Sequence, residues 1–293
     1  MERMLRLVPL SDVPLSVATN AWNEGFSDYY VSIPMSPRAF ASVKFGSEDV
    51  HPDRSFVAFA ADREEPIGLL LNAIRSDGDG TIAWNAGTAV HPDERGTGVG
   101  PALLRKAIET YREAGVRTAY LEAFEQNERA IRLYRGFGYE PFDTLHGLEA
   151  ADGLDFGPPA DDPALRLSLR PPSVLEELRF AAEPPAWQTR WQSAKSGEAL
   201  VASLSGVSAG YALFRRAASA TTLLQYAVDP RLPEETARSV ARELLRGVFA
   251  GADPESRRRV FAAPASQPFV HDVLAAAGFK ESYRLTHMRL RLE

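Results

Sequence analysis

Arg95-Gly96-Thr97-Gly98-Val99-Gly100 sets three glycines at alternate positions between an apolar strand and an amphipathic segment. Without side chains the backbone can turn so that consecutive N–H groups converge on one ligand. A helix starting there adds its unpaired first-turn N–H groups and the positive end of its dipole. The chemistry is anion binding, best suited to a phosphate or pyrophosphate, with Arg95 as a fixed positive charge beside it. The Gly-Lys-Ser/Thr ending of a nucleoside-triphosphate loop is missing. A dinucleotide fingerprint fits poorly, because its third glycine is misplaced and no strand-terminal acid follows at the required distance. Glycines in a strand-to-helix turn can also serve the turn alone.

Two further groups of residues could handle a ligand. Asn127, Ile131 and Tyr134 share one helical face, with Asn127 and Tyr134 about 10 Å apart along it at ~1.5 Å per residue. They can touch two points of one extended molecule. Upstream, Trp22, Phe26, Tyr29 and Tyr30 are interleaved with Glu24 and Asp28. Aromatics among acids suit a cationic amine; they equally suit the inner face of a helix pair.

Arg95-x-x-Gly98-x-Gly100 resembles the R/Q-x-x-G-x-G/A acetyl-CoA pyrophosphate signature of the GNAT superfamily of N-acetyltransferases. Leu121-Glu122, Asn127-Glu128-Arg129-Ala130-Ile131-Arg132-Leu133-Tyr134 and Gly138-Tyr139 are similar to that family's next strand, its Asn-x-x-A-x-x-L-Y helix and the strand that follows. The likeness is most specific over residues 80–142. It implies acetyl-CoA as co-substrate, with Arg95, Gly96, Thr97, Gly98, Val99 and Gly100 at the pyrophosphate. Backbone groups of Ala89 and Val90 would hold the pantetheine arm, and Asn127 would also contact the cofactor.

The resemblance further implies direct attack by a primary amine of a small molecule or peptide, with no acyl-enzyme, and Tyr134 as general acid to the sulfur. The other role of Tyr134 is an aromatic core residue, and that of Asn127 a helix N-cap. The base stays open. Trp84, Asn85 and Thr88 occupy the strand where the family often carries a glutamate, leaving Glu122 and His91 as candidates. Glu122 also suits structural hydrogen bonding, and His91 a loop. Phe26, Tyr29, Tyr30 and Trp84 fall in the acceptor region. Lacking an obvious carboxylate on that strand, the site matches an amine of pKa near about 8 better than a lysine-like one near about 10.4. Two other classes remain: a non-catalytic acetyl-CoA-binding sensor, and an enzyme using a longer acyl-CoA.

These residues need a sheet and helices to place them. The patterning predicts strands near 4–8, 55–62, 66–75 and 80–90, with helical segments between about 12 and 46. Helix 98–113 puts Val99, Leu103, Ala107 and Tyr111 on one side and Arg105, Lys106, Glu109, Arg112 and Glu113 on the other. Pro101 is tolerated in its first turn, Gly115 ends it, and Val116–Phe124 resumes as a strand. Gly87 in strand 80–90 marks a bulge or a close backbone approach.

The chain has 293 residues, enough for about two domains, with 45% hydrophobic and 25% charged residues. No cysteine excludes disulfides, thiolate metal sites and thiol catalysis, and the five histidines show no metal-ligand spacing. A net charge of -6 speaks against a general nucleic-acid binder. No apolar run is long enough to span a membrane and the start is unlike a signal peptide, which makes the cytoplasm the expected location.

Gly, Pro and Asp concentrate in 147–164, which reads as a linker between domains 1–146 and 165–293. The second half echoes the first. Strands are expected at Leu200–Leu204, Ser208–Arg215, Thr221–Val228 and Arg259–Ala262, helices at Glu234–Phe249 and Pro268–Ala277, and a terminal strand at Phe279–Leu290. Gly210, Val228 and Gly278 answer to Gly68, Val90 and Gly138. The expected fold class is α/β (α+β): a mixed, mostly antiparallel central sheet flanked by helices, a GNAT-like fold repeated twice. An ungapped match from Val228 puts Pro233, Glu234, Thr236 and Arg238 where Arg95, Gly96, Gly98 and Gly100 stand. No glycine loop remains there, the Tyr134 position falls at or near Leu274, and the two glutamates would repel a pyrophosphate. Such a degenerate copy would cover the first domain, shape the acceptor cleft or build a homodimer.

Overall fold

A computed structural model describes residues 4–78, 80–150, 153–178, 180, 186–251 and 256–292. The chain forms two compact units, Met1–Phe142 with His287–Glu293, and Asp143–Thr286. Each is a mixed α+β unit in which a sheet carries helices.

In the first unit the strands are β1 (Leu5–Pro9), β2 (Phe56–Ala60), β3 (Pro66–Asp77), β4 (Gly80–Val90) and β5 (Val116–Phe124), in that sheet order. Next to β5 comes β12 (Lys280–Arg291), of which residues 287–291 belong to this unit. Helices α1 (Leu15–Gly25) and α2 (Pro37–Phe40) precede β2; α3 (Val99–Glu113) and α4 (Glu128–Gly136) flank β5 in the chain. The expected strand-helix order of residues 55–139 is therefore present. Helix α3 buries Val99, Leu103, Leu104, Ala107, Ile108 and Tyr111, the stripe its periodicity predicts. Gly68 lets it approach closely: a Cβ there would stand 2.9 Å from Val99 and 3.1 Å from Leu103. Met288 and Leu290 join the same core from the last strand.

Two irregularities shape β4. It pairs antiparallel with β3, but Leu71 faces Gly87 while Asn72 faces Asn85, so Ala86 is an extra residue. This is the expected bulge. Gly87 has φ +153°, and the Trp22 ring lies 2.8 Å from where its Cβ would be. Buried Asn72 is held at the bulge by the Tyr111 hydroxyl, which donates to its Oδ1 at 2.6 Å. On its other side β4 runs parallel to β5 only from Thr81↔Val116 to Trp84↔Tyr120. Beyond Trp84 the two strands part.

In the second unit β6 (Glu140–Ala150, from residue 143), β11 (Arg257–Pro264), β10 (Ala220–Val228), β9 (Val207–Ala217), β8 (Glu198–Leu204) and β7 (Leu165–Arg170) follow one another across the sheet, with α5 (Glu234–Phe249) and α6 (Pro268–Ala276). Strand β7 was not among the expected elements. Its Leu165-Arg166-Leu167-Ser168-Leu169-Arg170 alternates with period two, but nearly all of it is exposed, as befits an edge strand. The expected 147–164 linker begins inside β6. Gly147 is not a linker glycine: it stands against the Tyr283 ring, which fills the space a Cβ would take. Past residue 150 no helix or strand occurs among the described residues until β7; residues 151–152 lie outside them.

The second half does not match the first without a gap. Val240 and Leu244 close over Gly210, at 3.0 Å and 2.9 Å from its would-be Cβ, as Val99 and Leu103 close over Gly68. Val99 follows Val90 by nine positions and Val240 follows Val228 by twelve. Thr236, Ala237, Ser239 and Ala241, not Pro233, Glu234, Thr236 and Arg238, therefore correspond to Arg95, Gly96, Gly98 and Gly100. All four lie inside α5.

Candidate active site

The glycine loop opens α3 as expected. Gly96 and Gly98 have φ +86° and +98°, backbone that L side chains rarely adopt. A Cβ on Gly98 would meet nothing within 4 Å, so the loop borders open space. Gly98 is the N-cap of α3 and no side chain caps the helix. The first bond into the helix from this end is Ala102 N–H to Gly98 O, which leaves the earlier N–H groups to an outside acceptor. Thr97 donates its hydroxyl to Glu94 O at 2.7 Å, fixing the loop from inside. The shape and donors fit a pyrophosphate.

Arg95 is not aimed into this loop. Its guanidinium forms a two-pronged pair with Asp28, at 2.5 and 2.6 Å, and also reaches Val90 O and Gly25 O. The paired guanidinium holds the Asp28 carboxyl below the usual carboxylate range. Arg95 thus ties the end of α1 to the end of β4.

Val90 and Ala89 line the parting of β4 and β5. Ala89 pairs with Leu69 on the β3 side, and a Cβ on Gly25 would stand 2.6 Å from that of Ala89, so α1 packs closely on this stretch. On the other side, the backbone from Asn85 to Val90 has no ladder to β5. Asn85 secures the bulge: its Oδ1 accepts from Gly87 N–H at 3.1 Å and its Nδ2 donates to Thr88 Oγ1 at 2.9 Å.

Tyr134 projects from α4 into the same region. Burial pushes its phenol up, and a hydrogen bond with the Thr88 hydroxyl opposes that push. It therefore stays protonated through the neutral range, as a proton donor must. It is also a core residue, 5.9 Å from the Tyr139 ring. Asn127 caps α4, accepting from Ala130 N–H at 3.2 Å. Tyr29 stands beside it; burial, with Tyr134 nearby, pushes the Tyr29 phenol up to about 12.

Ala83, Ala119, Leu121 and Ala123 pack in the α3 core, so Trp84, Tyr120, Glu122 and Phe124 occupy the opposite face. The aromatic residues after α1 meet that face. Ring centroids run Trp22–Phe26 4.5 Å, Phe26–Tyr29 4.9 Å and Tyr29–Phe124 5.5 Å. Tyr30 is 50% exposed and donates to Gln126 O, giving the cluster a solvent edge. Trp84 is buried and donates Nε1–H to Glu122 Oε2 at 2.7 Å. A carboxylate does stand on this face, supplied by β5 and not β4. His91 instead accepts Asp93 N–H at 3.3 Å and caps the turn before the loop.

Sequence reading missed Phe124, Thr88 as the partner of Tyr134, and His287. Phe124 and Thr88 were legible from strand alternation beside Glu122 and Gly87. His287 was not: its place follows from a strand that returns to the first unit after the whole of the second.

Residues 19–139 match the model of the acetyltransferase (GNAT) family. An uncharacterized N-acetyltransferase of Methanocaldococcus jannaschii is 40% identical over 58 residues, which are 20% of this chain and 26% of that protein. The chain thus spans about a quarter of that curated relative. Among solved structures, a GCN5-related N-acetyltransferase from Sphaerobacter thermophilus aligns with TM-score 0.66 at 16% identity, over 98% of this chain and 95% of the other. A tandem GNAT protein from the clavulanic acid biosynthesis pathway aligns with TM-score 0.64 at 18% identity, over 98% of both. At that identity the likeness establishes a fold, and it does so across both units. No helix among the described residues is long and apolar enough to cross a membrane.

Proposed function

We propose, from the match of residues 19–139 to the acetyltransferase (GNAT) family model, that the first unit is an acetyl-CoA-dependent N-acetyltransferase. It moves acetyl directly to a primary amine of a small molecule or peptide, in the cytoplasm where acetyl-CoA is available. The observation that carries this is one continuous arrangement: an uncapped, left-handed glycine loop, the unpaired β4 backbone beyond it, and Tyr134 facing Thr88 at the same parting.

Bound acetyl-CoA supplies an activated acetyl thioester. Gly96 to Gly100 hold its pyrophosphate through backbone N–H groups, and the Asn85–Val90 edge holds the extended arm as an added strand would be held. Tyr134, kept neutral by burial, donates the proton the departing sulfur needs. Glu122, the sole acid in β4 and β5, takes the proton of the attacking amine. Phe26, Tyr29, Tyr30, Trp84 and Phe124 form the apolar surround that accepts the amine and excludes water.

Thiol release from acetyl-CoA across a panel of glucosamine, dipeptide α-amines and alkyl ε-amines tests this. Release that depends on one amine class is expected. Tight acetyl-CoA binding with no release on any amine would overturn it.

A further inference from the structure

Glu122 is held from two sides. Trp84 donates to Oε2 at 2.7 Å, and His287 Nε2 lies 3.4 Å from Oε1. The His287 side chain is 2% exposed and that of Glu122 9%. The imidazole is 4.3 Å from the Phe142 ring and 5.9 Å from the Tyr120 ring, so its orientation is fixed by packing. We propose that His287, brought to the first unit by the last strand of the chain, is a positioning residue of the acceptor site that orients the Glu122 carboxylate to receive the amine proton. This rests on the acetyltransferase reading of the site.

A buried carboxylate is costly unless its oxygens are hydrogen-bonded. The indole N–H meets that cost at Oε2, and the imidazole stands at ion-pair distance from Oε1 on the other side. The second unit shows what happens where no such chemistry is called for. Counted from the bulge, Thr222 stands where Trp84 does, and Ala262 stands at the place of Glu122, counted from the helix that follows. The indole–carboxylate pair and the glycine loop are absent together.

In the step this serves, the amine nitrogen bonds to the acetyl carbonyl carbon and its proton passes to Glu122. The carbon–sulfur bond breaks and the sulfur takes the Tyr134 hydroxyl proton. Solvent then carries a proton from Glu122 back to Tyr134, leaving an N-acetyl product and free thiol. His287 touches none of the reacting atoms.

Three variants test the assignment: Glu122→Gln, His287→Phe, which keeps an aromatic against Phe142, and His287→Gln, which keeps an N–H. With glucosamine and glycyl-phenylalanine as probe amines, His287→Phe should lower kcat/KM for the amine about 10–100-fold, within the span of a proton-transfer contribution. Acetyl-CoA affinity should stay within about twofold, since His287 touches neither loop nor arm. His287→Gln should recover part of the loss. The double variant Glu122→Gln/His287→Phe should be no slower than Glu122→Gln alone, because the histidine acts through the glutamate.

A second readout needs no turnover: the ring-nitrogen NMR signals of His287 from pH 5 to 9 in the full-length protein without acetyl-CoA. The charged and titratable groups around the imidazole include Glu122, Tyr120 and Arg289, whose guanidinium lies over Phe142. Removing the carboxylate charge in Glu122→Gln should change those signals. Unchanged signals, full activity in His287→Phe, or additive losses in the double variant would each overturn the assignment. If the parent protein acetylates neither probe amine nor any other, the acetyltransferase reading fails instead, while the NMR comparison still decides whether the pair exists.

Discussion

The two units start from the same frame and end with different interiors at the same place. Each has an antiparallel pair in which a glycine meets the closing valine, Gly68↔Val90 and Gly210↔Val228. Each then closes a Val and a Leu of the following helix over that glycine. Each has a one-residue bulge and a parallel pairing that stops after a few residues, at Trp84↔Tyr120 and Leu223↔Val260. The difference lies in what fills the parting. At the bulge, Gly87 of the first unit is matched by Gln225, whose Nε2 donates to Thr189 O at 2.8 Å and whose Oε1 accepts from Tyr211. Tyr134 is matched by Leu274: each carbonyl accepts the N–H of the aromatic residue five positions on, Tyr139 and Phe279. The cavity left beside Gln225, Tyr226 and Ala262 is about 20 Å3, room for roughly one water. The fold keeps its splayed strands whether or not a ligand uses them.

The loops differ in the same sense. Three extra positions before Val240 become helix, so α5 starts at Glu234 with two acids in its first turn. That stabilises a helix N-terminus and repels an anion. In the first unit the corresponding stretch is the left-handed glycine loop, which leaves the same N–H groups bare.

The sharpest way to break the comparison is to exchange the loop chemistry. Gly98→Glu adds bulk and a like charge at φ +98° and should abolish acetyl-CoA binding; hydrogen bonds to charged groups are worth about 1.5–3 kcal/mol each. Ser239→Glu, at the matching position inside α5, should leave binding within about twofold, because a regular helix and not a glycine loop stands there. Calorimetry should give one site per chain for the parent protein and for Ser239→Glu. Two sites would end the view that the second unit has lost its ligand.

Next in size is the helix position where chemistry and packing diverge. Tyr134→Phe should lower kcat about 10²–10⁴-fold with acetyl-CoA affinity nearly intact. Leu274→Ala should cost stability, about 2–5 kcal/mol, and leave kcat unchanged below the melting transition. Rapid-quench turnover and thermal melts separate the two outcomes; a Tyr134→Phe enzyme at full speed would make that tyrosine a packing residue like its counterpart.

A smaller effect should be shared. Gly68→Ala and Gly210→Ala each place a Cβ 2.9 Å from a helix side chain. Overpacking of this kind typically costs about 1–3 kcal/mol. Similar melting shifts for both would sharpen the idea of one frame used twice, and a large shift in only one would weaken it.

The smallest prediction concerns pH. The Arg95 guanidinium depresses the Asp28 carboxyl below its usual value. The pair's contribution to stability is therefore present above the unfolded-state value of about 3.9 and is lost as pH falls through the lower folded-state value. The pair is partly exposed, so salt should weaken the effect. Melting curves of Asp28→Asn and the parent protein should converge in acid; a gap that widens there would mean Asp28 acts through something other than its charge.

Local sequence determined much of this protein. Alternation and helical periodicity located β2 to β5, α3 and α4, because each buries one face and the burial period is imposed by backbone geometry. The glycine loop, the N-cap at Asn127 and the bulge at Gly87 were legible because left-handed or crowded backbone needs particular residue types. Linker chemistry is less dependable: composition places Gly147 in a linker, whereas it makes room for Tyr283. The partners of charged and polar groups follow from long-range packing. It turned Arg95 to Asp28, set the Gly-rich loop beside the parting of β4 and β5, and placed His287 against Glu122 across 165 positions of chain. Those contacts join residues far apart in sequence, and local propensity carries no information about which distant strand will come to lie next to β5.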